Sequence, residues 1–409
     1  MILEKKISFI HAADLHLDSP FKGLSDVEET LFQEIRQSTF TALNNLVAAA
    51  IKRKVDFILL VGDLFDNEKQ SLKAQISLRN AFQELQRHQI EVYLSYGNHD
   101  FIDGNIYPIT YPDNVHIFSD EQVQSYLYTK ENTSLAKIYG FSYERRAVTE
   151  RKIEEYEKED TDTPFHIAML HGSIESNTEH DTYAPFKLGE LVEKDMDYWA
   201  LGHIHGREVL KEKPMIVYPG NIQGRNRKEI GAKGCYYVEL SEGKQTIEFI
   251  SLHAIEFQRA TIDLSECETI HQVERAIINQ LRELNNFVPQ LLDVTLISNH
   301  HNIIEWKNEH LLEEMIEIIN ESFTQQKNWI YVFRCTVKNT SPSSEISLKG
   351  EHFLGELTTK LEHFSPIDYL DELFQHKDAR KYLEMLTKED EEMVKKEAYE
   401  LVIHELMKE

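Results

Sequence analysis

The chain has 409 residues, 41% of them hydrophobic and 28% charged, with a formal net charge of −26. That length suits two or three domains, no apolar run reaches the length of a membrane span, and three scattered cysteines exclude a disulfide framework. The cysteine usage and the absence of a signal-peptide pattern before the first strand lead us to expect a cytoplasmic protein, and the acidity argues against tight, unaided binding to long nucleic acid.

Ile7–Ile10 reads as a strand that ends at Asp14. Residues 30–53 place Leu31, Ile35, Leu43, Leu46, Val47 and Ala50 near helical spacing. Phe57–Val61 is a continuous apolar strand ending at Asp63, a helix runs from about Leu72 to His88, and Val92–Leu94 is a strand leading to Asn98. Such strand–helix repetition with short loops predicts parallel strands. Strands follow at Val115–Phe118 and Ala136–Phe141. The charged stretch Glu144–Asp162 reads as helical or solvated. His166–Leu170, Tyr198–Leu201, Met215–Tyr218, Gly234–Leu240 and Thr246–Leu252 are further strands. The fold class expected is α/β: a two-sheet sandwich flanked by helices, over residues 1–257. After it, Thr261–Leu264, His271–Leu284, Leu292–Ile297, Glu309–Phe323 and Ile330–Val337 spell a smaller β-α-β-α-β cap domain, 258–340. Residues 341–409 read as a linker and an acidic, helical C-terminal tail.

Strand ends carry the informative residues. Asp14-Leu15-His16, Gly62-Asp63, Gly97-Asn98-His99-Asp100, His171-Gly172 and Gly202-His203-Ile204-His205 almost all follow apolar runs. Oxygen and imidazole donors so placed suit a two-metal site. A carboxylate bridges two cations best, and Asp63 is the candidate. Asp14 and His16 can face one ion across a turn, His203 and His205 can serve different ions, Asn98 offers a carbonyl oxygen and His171 an imidazole. The set lacks cysteine, which points to manganese first, with magnesium, iron and zinc open. A lone buried histidine is ordinarily a hydrogen-bonded core residue, and one Gly-Asp pair is a chance event. The order and placement of all the blocks together favour the metal reading. Two cations would neutralise phosphoryl oxygens and lower the pKa of a water, which makes a phosphate-ester hydrolase the leading expectation.

These blocks resemble the calcineurin-like metallophosphoesterase superfamily. The longer stretches Ile10–Phe21, Val61–Asp66, Gly140–Tyr143, Tyr198–His205 and Tyr218–Asn221 are similar to SbcD-type DNA-repair exonucleases, within them the YhaO group. The likeness covers roughly residues 1–340; the tail fits only loosely. It implies one metal held by Asp14, His16, Asp63 and His205, and a second held by Asp63, Asn98, His171 and His203. It implies that His99 stabilises the transition state or protonates the leaving oxygen, and that Asp100 orients the His99 imidazole. It leaves the role of Asp66 open, because some relatives carry histidine there. It further implies DNA as substrate, a cap that contacts DNA, and an SbcC-like coiled-coil ATPase bound through C-terminal helices; a homodimer stays open.

Two weaker features remain. Gly224-Arg225-Asn226-Arg227-Lys228, with Lys233 nearby, is a basic cluster in an acidic chain. It is either a solvated loop or a phosphate clamp formed by Arg225, Arg227 and Lys228, with Arg145 and Arg146 a second candidate. His300 and His301 read as turn residues. In the tail, Leu354, Leu357, Leu361, Phe364, Ile367, Leu370, Leu373 and Phe374 form apolar helical faces that pack on themselves or receive a helical partner. The alternatives to a DNA nuclease are a phosphoesterase acting on small or cyclic nucleotides, and a non-catalytic scaffold for an ATPase. The cap counts against the first, and the intact ligand set with His99 against the second.

Overall fold

Phe57-Ile58-Leu59-Leu60-Val61 has no polar side chain to give to solvent, and in the computed structural model of the chain every one of these residues is buried at the centre of a sheet. The structure describes residues 5–24, 27–66, 70–104, 109–159, 162–175, 183–284, 287–300, 302–340 and 364–376, with further positions between 386 and 398. Two compact units emerge, one from Met1–Ser19, Glu29–Gln258 and Asn286–Leu291, the other from Pro20–Glu28, Arg259–Asn285 and Leu292–Glu409.

In the first unit the chain runs β1 (Lys6–Ala13), α1 (Glu29–Arg53), β2 (Phe57–Val61), α2 (Leu72–Arg87), β3 (Glu91–Ser95) and β4 (Val115–Ile117). It continues with β5 (Gln124–Lys130), β6 (Thr133–Gly140), β7 (Phe165–His171), α3 (Leu188–Glu193), β8 (Tyr198–Gly202), β9 (Glu208–Glu212), β10 (Met215–Tyr218), β11 (Gly234–Ser241) and β12 (Lys244–Ser251). Glu29 in the first turn of α1 and Lys52 and Arg53 in its last complement the helix dipole. Ser71 caps α2 by accepting from the Ala74 amide at 3.1 Å.

One six-stranded sheet has the order β12-β11-β1-β2-β3-β4, and the other β5-β6-β7-β8-β10-β9. The steps β1-β2-β3-β4 are parallel, as the strand–helix repetition implies, and so are β6-β7-β8-β10; β11 joins β1 antiparallel, and β12, β5 and β9 each close an edge as the antiparallel partner of a neighbour in sequence. Strand alternation divides the apolar residues between two cores. Ile10, Ala12, Ile58 and Leu60 pack with Leu43, Leu46 and Leu78 of the helices. Phe9, Phe57, Leu59 and Val61 pack with Ile167, Met169, Tyr198 and Ala200 of the second sheet. This is the sandwich flanked by helices. A third cluster, around Tyr143, Tyr156 and Trp199, covers the outer face of the second sheet.

In the second unit β13 (Glu256–Asp263), β14 (Gln290–Ser298) and β15 (Ile330–Asn339) form a three-stranded sheet. Helices α4 (Ile270–Glu283), α5 (Asn302–Asn308) and α6 (Leu311–Phe323) share its core, which includes Val273, Ile277, Val294, Ile303 and Ile319. The helix expected from Glu309 starts later, because His310 sits at φ +61° and breaks it from α5. His300 Nε2 donates to the Ser265 carbonyl, 2.9 Å away, as a turn residue would. In the tail, Pro366–Gln375 is helical, Phe364 stacks on Tyr369, and Leu373 is exposed. The expectations for His301, Leu354, Leu357 and Leu361, and for the Phe374 side chain, fall outside the described residues. No described helix is long and apolar enough to cross a membrane.

Candidate metal centre

Parallel strands deliver side chains from their carboxyl ends to one rim, and β1, β2, β3, β7 and β8 do so here. Beyond β1 and β2 the chains stay tied, the His16 amide donating to the Asp63 carbonyl at 3.0 Å and Asp14 to that of Gly62 at 3.2 Å. To turn their side chains inward, Asp14 (φ +53°), His16 (+43°), Asp63 (+51°) and His203 (+94°) all adopt the left-handed region. Such strain in non-glycine residues persists only where the surroundings enforce it, and it gathers at functional sites.

Two groups of donors gather the expected ligands, and a third brings His16 together with Asp66 and His99. Asp14, His16 and His205 present one ligand atom each within 4.8 Å of one another, and so do Asp63, His171 and His203. In the first group, Nε2 of His16 and Nε2 of His205 face each other at 3.0 Å, with Asp63 Oδ2 3.9 Å from the former and Asp14 Oδ1 3.9 Å from the latter. In the second, Nε2 of His171 and Nδ1 of His203 both approach Asn98 Oδ1, at 3.1 and 3.2 Å, and Asp63 Oδ2 lies 3.5 Å from His171. Asp63 therefore faces both groups.

Backbone groups hold these side chains from behind. The His203 amide donates to both oxygens of Asp14 at 3.1 Å, and the His99 amide donates to Asp63 Oδ1 at 3.0 Å. His171 Nδ1 donates to the Val61 carbonyl at 3.0 Å, which leaves Nε2 as the inward atom. Tyr143 and Tyr218 donate to the carbonyls of His171 and Gly172. Close approach requires glycine at Gly97, where a Cβ would lie 2.4 Å from Asp63 Oδ1 and 2.7 Å from His171 Nε2.

The donors fit divalent cations. Two imidazole nitrogens facing at hydrogen-bond distance in a buried site need a proton or a cation between them, and the donor set is hard oxygen plus imidazole. Burial and the Arg225 charge keep His16 well below the usual histidine range, the neutral form that a ligand requires. Burial alone would raise the Asp63 carboxyl, but His171 and His99 hold it well below its ordinary value. Burial would lower His171, yet Asp63 pulls it up to about 9, so a proton on His171 balances Asp63 in the absence of a cation.

His99 is half-buried beside the first group, its ring 5.0 Å from that of His16. Its Nδ1 lies 2.8 Å from the Asp66 carbonyl, which can only accept, so Nδ1 is protonated and Nε2 is the free reactive atom. The expectation that Asp100 orients this imidazole is corrected. Asp100 accepts from the Gly97 amide at 2.7 Å and the Leu64 amide at 2.6 Å, and so braces the loop backbone. Burial and the nearby Asp63 push its carboxyl up to about 7.

Arg225 also departs from the expected phosphate clamp. Its guanidinium pairs with Asp66 and lies 3.6 Å from Glu229, so its charge is committed inside the protein. Of its expected companions, Lys228 is exposed and Arg227 half-buried, while Lys233 donates to the His205 carbonyl at 3.2 Å. Arg145 and Arg146 are exposed. Sequence reasoning missed Glu229, a buried carboxylate that accepts from His205 Nδ1 at 2.7 Å. Its only local signal is the spacing of four from Arg225.

The family model of calcineurin-like phosphoesterases matches residues 7–207. The uncharacterized metallophosphoesterase YhaO of Bacillus subtilis is 37% identical over 396 residues, 96% of each chain. The DNA double-strand break repair protein Mre11 of Thermoplasma acidophilum is 23% identical over 334 residues, 78% of this chain and 82% of the relative. That of Methanocaldococcus jannaschii is 26% identical over 286 residues, 65% and 73% respectively. A solved dimetal phosphatase from Danio rerio is 11% identical, covers 60% of this chain and 96% of its own, and superposes with a TM-score of 0.36.

Proposed function

The chain belongs to the calcineurin-like phosphoesterase family and is a metal-dependent phosphoesterase, and from that premise we propose that it is a manganese-dependent DNA nuclease. The observation that carries the proposal is the extent of one likeness. The family model ends at residue 207, whereas the match to the Thermoplasma repair protein spans 78% of the chain. Similarity limited to the metal-bearing rim would speak for phosphoester chemistry alone; similarity that runs well past it supports a shared macromolecular substrate.

We assign Asp14, His16, Asp63 and His205 to one ion and Asp63, Asn98, His171 and His203 to the other. When bound, two divalent ions supply charge for the phosphoryl oxygens and lower the pKa of a water. The residues do the rest. Asp63 faces both groups and sets their separation. Asn98 adds an oxygen without adding charge. His99, with its Nδ1 proton held by the Asp66 carbonyl, turns Nε2 to the scissile group, where the imidazolium form, protonated at both nitrogens, can give its Nε2 proton to the departing sugar oxygen and be left neutral. Lys228 and Arg227 serve flanking phosphates. The second unit contacts DNA, and the tail helices bind a coiled-coil ATPase of the SbcC type.

The net charge of −26 favours one second reading, a phosphoesterase of small nucleotides, which needs no extended phosphate track. Purified protein with manganese, assayed on labelled duplex DNA and on a small chromogenic phosphodiester, separates the two. Cleavage of duplex DNA that is lost in Asp63→Ala supports the nuclease. Turnover of the small ester with no cleavage of duplex or hairpin DNA refutes it.

A further inference from the structure

Arg225 stands behind both imidazoles of the first ligand group. Asp66 Oδ1, which pairs with Arg225, lies 3.6 Å from Nδ1 of His16, a buried nitrogen with no hydrogen bond among the described residues. On the other side, Nδ1 of His205 lies 2.7 Å from Glu229 Oε1 and 3.3 Å from Nη2 of Arg225. Arg225 can only donate, so the shorter contact to the carboxylate decides: His205 Nδ1 carries the proton and gives it to Glu229. That leaves the lone pair of Nε2, the atom that faces His16. Glu229 is fixed in turn by Asn221 Nδ2 at 2.7 Å and by the Arg225 amide at 2.8 Å. Arg225, Asp66 and Glu229 are each largely buried, with 13%, 13% and 9% of their side chains exposed.

We propose that Arg225 is a positioning residue of the first metal site, its guanidinium tying together the carboxylate behind His16 and the carboxylate behind His205. Two buried carboxylates close together repel one another and would swing apart without a cation between them. The planar fork of arginine serves both at once, which the single ammonium of lysine does not. With both carboxylates pinned, His205 keeps its tautomer and its aim and a negative charge stays beside His16, 3.6 Å from its Nδ1, and such outer partners typically contribute about 10- to 100-fold in metal affinity. This rests on the assignment of Asp14, His16, Asp63 and His205 to one ion; it is independent of whether the substrate is DNA.

The test is a manganese titration of the metal-stripped full-length protein, followed calorimetrically and by the electron paramagnetic resonance of free Mn²⁺. Wild type should take up two ions. Arg225→Gln should weaken one of them by roughly 10- to 100-fold and leave the other within about threefold. Arg225→Lys should fall nearer to Arg225→Gln than to wild type. Glu229→Gln keeps the acceptor for His205 and the side-chain shape, and should weaken the same ion by a smaller factor. Unchanged affinity for both ions with a raised KM for DNA would return Arg225 to a phosphate contact and overturn the proposal. Equal weakening of both ions, with a lowered melting temperature of the metal-free protein, would make it a general packing residue and overturn it equally. A wild-type chain that takes up fewer than two ions would overturn the underlying metal assignment, before any substitution is compared.

Discussion

Gly97→Ala tests the metal centre through a single methyl group. Gly97 does not use the left-handed region, so alanine can adopt its backbone and the cost is steric. The added Cβ would lie 2.4 Å from Asp63 Oδ1, 2.7 Å from His171 Nε2 and 2.9 Å from the Asp63 amide nitrogen, against ordinary contacts that begin at 3.4 Å. About 1 Å must be found between a strand-end carboxylate and an imidazole that are both buried. Neither yields easily, because Asp63 is bonded to the His99 amide and His171 to the Val61 carbonyl. Overpacking of this kind costs about 1–3 kcal/mol of stability, and a 1 Å misplacement at a reacting centre costs about 100-fold in rate. We expect Gly97→Ala to fold, to melt a few degrees lower, to bind at least one manganese ion more weakly, and to lose about 100-fold in kcat on a small phosphodiester. The checks are circular dichroism, manganese titration and steady-state kinetics. Wild-type affinity and turnover in this variant would refute the packing of Asp63 and His171 described above.

His99→Ala should keep both ions and lose about 100- to 10,000-fold in rate; loss of an ion measured by metal analysis would make His99 a ligand instead. His11 gives a pH prediction away from the ligands. Its Nε2 donates to the Leu201 carbonyl and its Nδ1 accepts from Tyr198, and burial drives it down to about 3, against the opposing pull of Leu201. The unfolded chain takes this proton near 6.5 and the folded chain does not, so stability is complete above about 6.5 and falls by a few kcal/mol towards pH 3. Denaturant melts of His11→Gln should show a shallower loss over that window, by one proton, and an identical slope would contradict the assignment. Truncation after Thr340 should leave hydrolysis of short DNA intact and abolish capture by an SbcC-type ATPase; equal capture of both forms would leave the tail packing on its own body. Charge neutralisation of Arg227 and Lys228 should flatten the salt dependence of duplex binding with little effect on a small phosphodiester, and an unchanged salt slope would place both in a solvated loop.

The amino-acid order alone determined the scaffold of the first unit and the residues at its rim. Apolar runs such as Phe57–Val61 are long enough to be strands and too apolar for an edge, and Asp or His directly after them lands at a strand end whatever the details of packing. Strands β5 and β9 were illegible for the opposite reason. They are edge strands, mostly exposed or half-buried, with polar residues such as Gln124, Ser125 and Lys211 that no buried face constrains. The partners of charged side chains were likewise decided only in three dimensions. Asp100 adjoins His99 in sequence, but the backbone amides of Gly97 and Leu64 reach it first. Arg225 belongs to a basic run, but it meets Asp66, 159 positions away, and turns inward. Glu229 carries no motif and lies 24 positions from His205, which it orients. Periodicity and motif order report what a segment does with its own neighbours. Which carboxylate ends behind which imidazole depends on how distant segments stack, and only the tertiary structure brings β1, the Asp66 turn and the 224–229 loop to one rim.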